Sequence, residues 1–144
     1  MKKIFCSLIF ILTLAGSACA KPEAFGNFRA EIPAGWSGEL QNTTLVIKHE
    51  SKTASIAVAF NKLGGAELSD IVERLYIQME GRDLEQDEDG DYNFIFVNSA
   101  GVESIALITA AEEYYLVISV SGIDDGSLSS DFETILDSID FVDE

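Results

Sequence analysis

The chain reads as an α+β protein, an antiparallel sheet with two helices packed on it. Three observations predict this. Most of the sequence from residue 28 onward alternates apolar and polar residues with a period of two. The stretches between alternating segments are short, which makes chain neighbours antiparallel. Only two segments, 68–79 and 130–139, carry the apolar stripe of a helix, and each must bury that stripe against something.

The elements follow in order. Lys2-Lys3, the apolar run Ile4–Leu14 and Ala18-Cys19-Ala20 form the three parts of a secretory signal cleaved after Ala20. The run is shorter than the roughly 20 residues that span a bilayer, and no other stretch is a transmembrane candidate. Residues 1–20 are therefore read as a signal peptide and 21–144 as one domain, exported to the periplasm or secreted. The alternative is a lipoprotein signal, with a lipid anchor at Cys19 holding the protein in the cell envelope. Ser17 and Ala18 suit that reading, whereas Gly16 stands where a Leu-like residue is usual. Both cysteines, Cys6 and Cys19, lie in the leader, so cleavage after Ala20 excludes disulfides, thiolate zinc sites and a cysteine nucleophile.

Residues 21–26 read as a loose leader. Phe28–Ile32 alternates as a strand that Pro33 ends, and Ala34-Gly35 turn into Trp36. Residues 37–42 read as a polar connection. Thr44–His49 is a second strand and Ala54–Asn61 a third. In the third, Ile56, Val58 and Phe60 line one face and Ala57 and Ala59 the other, a pattern that predicts close cover on the small face. A helix then runs from a Ser69 N-cap to a Gly81 stop, with Leu68, Ile71, Val72, Leu75, Tyr76 and Met79 as its stripe. Four strands follow: 82–86, whose polarity marks an edge, then 92–97, 102–110 and 114–120. A polar loop leads to the last helix, opened by a Ser130–Glu133 capping box.

Charge restricts the partners. The chain holds 9 basic and 25 acidic residues, and loss of Lys2 and Lys3 takes the net charge from −16 to −18. Arg82 is the last basic residue, and 17 acids follow it. Nucleic acid and anionic membrane surfaces both need a basic footprint, so both are excluded as partners. The acidity reads as a source of solubility, and in a functional sense as complementary to a basic protein partner or to loosely held cations.

Ile32-Pro33-Ala34-Gly35-Trp36 after a short exported leader resembles the opening of the Mog1/PsbP-like fold. The helix ending at Gly81, the closing hairpin with Tyr114-Tyr115 and the Ile135-Leu136-Asp137-Ser138-Ile139 helix are similar to that group in the same order. The resemblance spans about residues 25 to 142. It implies an α/β/α sandwich around an antiparallel sheet of about six to seven strands. Members of the group include a Ran-binding protein, photosystem II extrinsic subunits, and bacterial exported proteins or secretion-associated chaperones. None of these is a defined enzyme class.

Residues 85–91 are the most motif-like stretch. Glu85, Asp87, Asp89 and Asp91 alternate around Gly90, as the ligands of a calcium loop do. With Glu85 as position 1, the bidentate acid at position 12 is replaced by Phe96, and the flank after Gly90 alternates as a strand. The competing reading is a hairpin, Glu88-Asp89-Gly90-Asp91, with Asp-Gly at the centre of a type I′ turn. Other candidates carry less. His49 is the only histidine, and no Gly-x-Ser-x-Gly elbow accompanies it. Trp36 reads as a core anchor or a pocket wall. Glu112 and Glu113 are adjacent and would face opposite ways on a strand. Gly64-Gly65 lack the following residues of a phosphate loop. The functional expectation is an exported, non-catalytic binding or accessory module with no cofactor. The alternatives are a calcium-responsive protein using the 85–91 loop and a hydrolase built on carboxylates.

Overall fold

The computed structural model describes residues 20–50, 53–123 and 126–142. The expected signal peptide, with Cys19 and its possible lipid, lies outside the described residues except for Ala20.

Ten strands and two helices are described. Strands β1 (Lys21–Phe25), β2 (Phe28–Ile32), β3 (Trp36–Gln41), β4 (Thr44–His49) and β5 (Ser55–Lys62) precede α1 (Leu68–Gln78). Strands β6 (Arg82–Gln86), β7 (Tyr92–Val97), β8 (Glu103–Ala111) and β9 (Tyr114–Ser121) follow it. A 3₁₀ turn (Gly126–Leu128), α2 (Ser129–Ser138) and β10 (Asp140–Phe141) complete the order. Seven strands form one antiparallel sheet, β3-β4-β5-β9-β8-β7-β6, and β1-β2-β10 form a second, smaller one.

The expected α+β fold with a seven-stranded antiparallel sheet is present, and several elements differ in detail. Residues 21–26 are not a loose leader, because β1 pairs with β2 from Lys21↔Ile32 to Phe25↔Phe28. Residues 37–42 are not a connection, because β3 pairs with β4 from Trp36↔His49 to Gln41↔Thr44. Both strands are largely exposed, and their polar sequences hide the period of two. The 28–32 strand accordingly sits in the small sheet, and β3 is the main sheet's terminal strand. The first helix starts one residue before the expected cap, with Glu67 as N-cap and no side-chain capping bond. The Ser130–Glu133 capping box does not form either.

The two helices lie on opposite faces of the main sheet. Paired residues share a face and alternate residues change it. Leu45, Ile47, Ile56, Val58, Leu116, Ile118 and Val120 fall on one face by this register. They form a core with Phe28, Ala30 and Ile32 of β2 and with Phe132 and Ile135 of α2. Phe94, Phe96, Ala106 and Ile108 fall on the other face and form a second core with Val72 of α1. Leu75, Tyr76 and Met79 of α1 pack against that core, as do Tyr115 and Val117 of β9. The core under α1 draws nothing from β5, so Ala57 and Ala59 stay half-buried instead of closely covered.

The cover on the first face is pinned by specific contacts. The Trp36 indole N–H donates to the Asp131 carboxylate of α2 at 2.9 Å, and the ring meets Phe132 edge-on at 5.4 Å. Trp36 is thus a core anchor. At the other end of the small sheet, Phe28, Phe60, Phe141 and Tyr114 form an aromatic cluster with centroids 4.6–5.8 Å apart.

Helix α1 ends in a Schellman motif. The Gly81 N–H bonds the Tyr76 carbonyl at 2.8 Å, and the Glu80 N–H bonds the Ile77 carbonyl at 3.2 Å. The left-handed residue is Glu80 (φ 53°), not the expected Gly81. Gly81 is instead required by space, since a Cβ there would lie 2.7 Å from both Phe94 and Tyr76. Glu80→Gly is expected to stabilise the protein by about 1 kcal/mol by relieving the left-handed backbone. Gly81→Ala is expected to destabilise it by about 1–3 kcal/mol through overpacking. Urea unfolding of the two variants checks the opposite signs.

Candidate functional site

The β6–β7 hairpin carries the acidic motif, and its geometry is that of a turn. The Asp87 N–H bonds the Asp91 carbonyl at 2.9 Å, and the Gly90 N–H bonds the Asp87 carbonyl at 3.2 Å. Asp87 Oδ1 accepts from the backbone N–H groups of Asp89 and Asp91, both at 2.9 Å. Gly90 is left-handed (φ 86°) and Asp89 is not, so the turn spans Asp87–Gly90, one residue earlier than the expected type I′ turn. This is a type I turn closed by a left-handed residue.

The molecule contains a second copy of this loop. In the β7–β8 hairpin, Asn98 Oδ1 accepts from the N–H groups of Ala100 (2.9 Å) and Val102 (3.0 Å). The Asn98 N–H bonds Val102 and the Gly101 N–H bonds Asn98, each at 2.9 Å, and Gly101 has φ 78°. Where one loop has Glu88, Asp89 and Asp91, the other has Ser99, Ala100 and Val102. One geometry therefore arises with and without the flanking acids, and Asp87 does in its loop what Asn98 does in the other. Glu85 lies on the exposed edge strand opposite Asn93. Among the described residues, no three His, Cys, Asp or Glu side chains are gathered as a metal site.

The remaining sequence candidates are dispersed. The half-buried His49 ring packs edge-on against Trp36 at 5.2 Å. Glu112 and Glu113 are exposed and form the two-residue link between β8 and β9, with Glu112 left-handed (φ 57°). Gly64 and Gly65 help line an open groove of about 440 Å³ with Lys62, Leu63, Ala66 and Glu113.

A feature the sequence reading missed lies beside the acidic hairpin. Strand β6 is the edge of the main sheet opposite β3 and carries a bulge, its register slipping between Arg82↔Ile95 and Glu85↔Asn93. Asp83, in the bulge, has φ 56°, a backbone that usually belongs to glycine at such a position. Asp83, Leu84, Glu85, Asn93, Ile95 and Ile105 line an open groove of about 390 Å³. Ile95 and Ile105 are directly paired, so they sit side by side on one face. It is the face that α2 covers further along the sheet, since Ile105 pairs with the core residue Val120. Arg82 and Glu103 form an ion pair across β7. The signal that marks this groove is β8, where Ile105 and Leu107 alternate with Ala106 and Ile108, making the strand apolar on both faces.

The twin loops make a sharp comparison possible. Asp87→Asn is expected to leave stability within about 0.5 kcal/mol of wild type, because the amide oxygen accepts the same two bonds. Asp87→Ala is expected to cost about 1 kcal/mol by leaving those N–H groups to water. Thermal melts of both variants with and without millimolar calcium check this. A calcium-dependent rise in the wild type that Asp87→Asn abolishes would restore the metal reading.

No protein-family model matches the chain, and no curated protein matches it. Among solved structures, cyanobacterial PsbP (CyanoP) from Synechocystis sp. PCC 6803 is similar, with a TM-score of 0.58 and 15% sequence identity over 88% of this chain and 95% of that one. With its seven-stranded antiparallel sheet, its smaller sheet and two helices on opposite faces, the chain has the PsbP-like fold.

Proposed function

We propose that the protein is an exported, non-catalytic binding module whose partner is a basic protein. The observation that supports the reading is where the fold places charge. Strands β6 and β7 and their turn bring Asp83, Glu85, Asp87, Glu88, Asp89 and Asp91 to one edge of the sheet. No lysine or arginine follows Arg82 in the sequence, and Arg82 itself is held by Glu103. That edge therefore presents a field of one sign, which accelerates encounter with an oppositely charged partner and selects against acidic ones. Among the described residues no helix is long and apolar enough to cross a membrane. Export is supported by the leader sequence, and its free or lipid-bearing form is decided by the intact mass of the protein extracted from cells.

Capture from an envelope extract tests the reading. Proteins retained at low ionic strength are expected to be basic and to elute as salt is raised to about 0.2 M, where the Debye length is about 7 Å. Replacing Asp87, Glu88 and Asp89 by lysine is expected to abolish retention. A hydrolase activity that disappears when these or the groove carboxylates are changed to amides, with no basic protein retained, would sink the reading.

A further inference from the structure

We infer that the open face of β6, β7 and β8 is a docking groove for an extended polypeptide segment carrying both basic and aliphatic side chains. This rests on the proposed reading of a basic partner and assigns the surface it uses.

The sheet supplies an apolar floor beyond the reach of α2 and the small sheet, closed at its Val97 end by the Arg82–Glu103 ion pair that crosses β7. Ile95 and Ile105 are only half-buried, and Leu84 is 41% exposed at the wall. Val97 lies two residues beyond Ile95, hence on the same face, and is 59% exposed. The groove itself runs along the strand direction, from Asp83 and Ile95 to Glu85 and Asn93 and on toward the acidic turn, which matches a chain segment better than a compact ligand. The walls supply the charge. Asp83 and Glu85 stand on the edge side, and the acidic turn follows directly. On the same face, Arg82 and Glu103 neutralise each other, so the nearest cation does not offset the wall.

The mode of docking follows from β6. A free edge strand ordinarily invites another strand to pair with it. Here the bulge at Asp83-Leu84 interrupts the edge, and charged residues line it. The edge is closed to strand addition while the bulge places Asp83 and Leu84 in the groove wall. The segment lies over the face, with aliphatic groups on Ile95 and Ile105 and Lys or Arg stems reaching the edge carboxylates. A second copy of this chain is a poor occupant, because it would bring another net charge of −16 against the same acids.

The test compares two labelled peptides of about ten residues, one alternating Lys and Leu so that an extended chain shows one apolar side, the other with Ser for Leu. Binding to the processed protein is followed by fluorescence anisotropy. The Lys/Leu peptide is expected to bind about tenfold tighter than the Lys/Ser peptide, as burial of one or two aliphatic groups implies. Leu84→Ser and Ile105→Ser are each expected to remove most of that difference while leaving the Lys/Ser affinity within about twofold. Leu84 is exposed, so its variant remains informative even if Ile105→Ser lowers stability. If both peptides bind equally and only lysine replacements at Asp87, Glu88 and Asp89 weaken them, the groove is wrong and the basic-partner reading stands. If neither binds better than an oligoglutamate, both are wrong. A dimer in sedimentation equilibrium that Leu84→Ser dissociates would give the groove to a second copy and overturn the proposal.

Discussion

The width of the main sheet sets the problem that the rest of the structure answers. Seven strands at about 4.8 Å spacing make a sheet roughly 29 Å across. An α-helix with its side chains is about 10–12 Å wide and covers little more than two strands. One helix per face therefore leaves most of that face open. On one face α2 is joined by the β1-β2-β10 sheet, and the combined cover reaches β4, β5, β9 and Leu107 of β8. On the other, α1 stands alone over β7 and β8. The covers are diagonally offset, and two strips remain: the small-residue strip of Val46, Ala57 and Ala59, and the apolar strip of Ile95 and Ile105.

The offset is held by directional contacts at the ends of the cover. The indole–carboxylate bond between Trp36 and Asp131 ties the first residue of β3 to the first turn of α2, 95 residues apart in the chain. The Asn27 side chain donates to the Val142 carbonyl at 2.8 Å, and the Val142 N–H returns a bond to the Asn27 carbonyl at 2.7 Å. With Phe141 wedged among Phe28, Phe60 and Tyr114, these contacts bring the C-terminal strand back to the N-terminal hairpin. The small sheet and α2 thus behave as one slab, and a sideways shift to cover β7 would break both anchors. The exposure of Ile95 and Ile105 is a consequence of where the slab is pinned.

How legible this was in the sequence varies by element for physical reasons. Strands with one buried face, such as β2, β5 and β7, announce themselves by alternation, because burial selects every second residue. Both helices are plain from their stripes for the same reason. Strands β1 and β3 are held mainly by backbone pairing, with five and six register partners respectively, and leave no hydrophobic period to read. Ser69 and Ser130 suit caps by residue type, yet the chain enters each helix earlier and Asp131 is engaged by Trp36. The sequence predicts the acidic hairpin but places its turn one residue late. Asp-Gly at the centre is a strong local signal, whereas the bonds that decide the register come from Asp87 two residues earlier. The groove leaves only an indirect trace, the apolar residues on both faces of β8. It depends on which face of β7 lacks a cover, and that follows from long-range pairing and the width of the slab.

Backbone strain gathers beside the same strip. Four described residues other than glycine are left-handed, and two of them, Glu80 and Asp83, flank Gly81-Arg82 at the entry to β6. Each conformation is individually unfavourable by about 1–2 kcal/mol and persists because its surroundings require it. For Glu80 the requirement is the helix end packed against Phe94. For Asp83 it is the bulge, which interrupts an otherwise open edge. An uncovered apolar strip next to a free edge is an aggregation hazard. The bulge removes the edge as a template, and the acids repel like copies of the protein at the remaining face. These acids cannot repel copies of the chain without also favouring a cationic ligand at that face. Protection from self-association and the proposed selection of a basic partner would then be two results of one charge distribution.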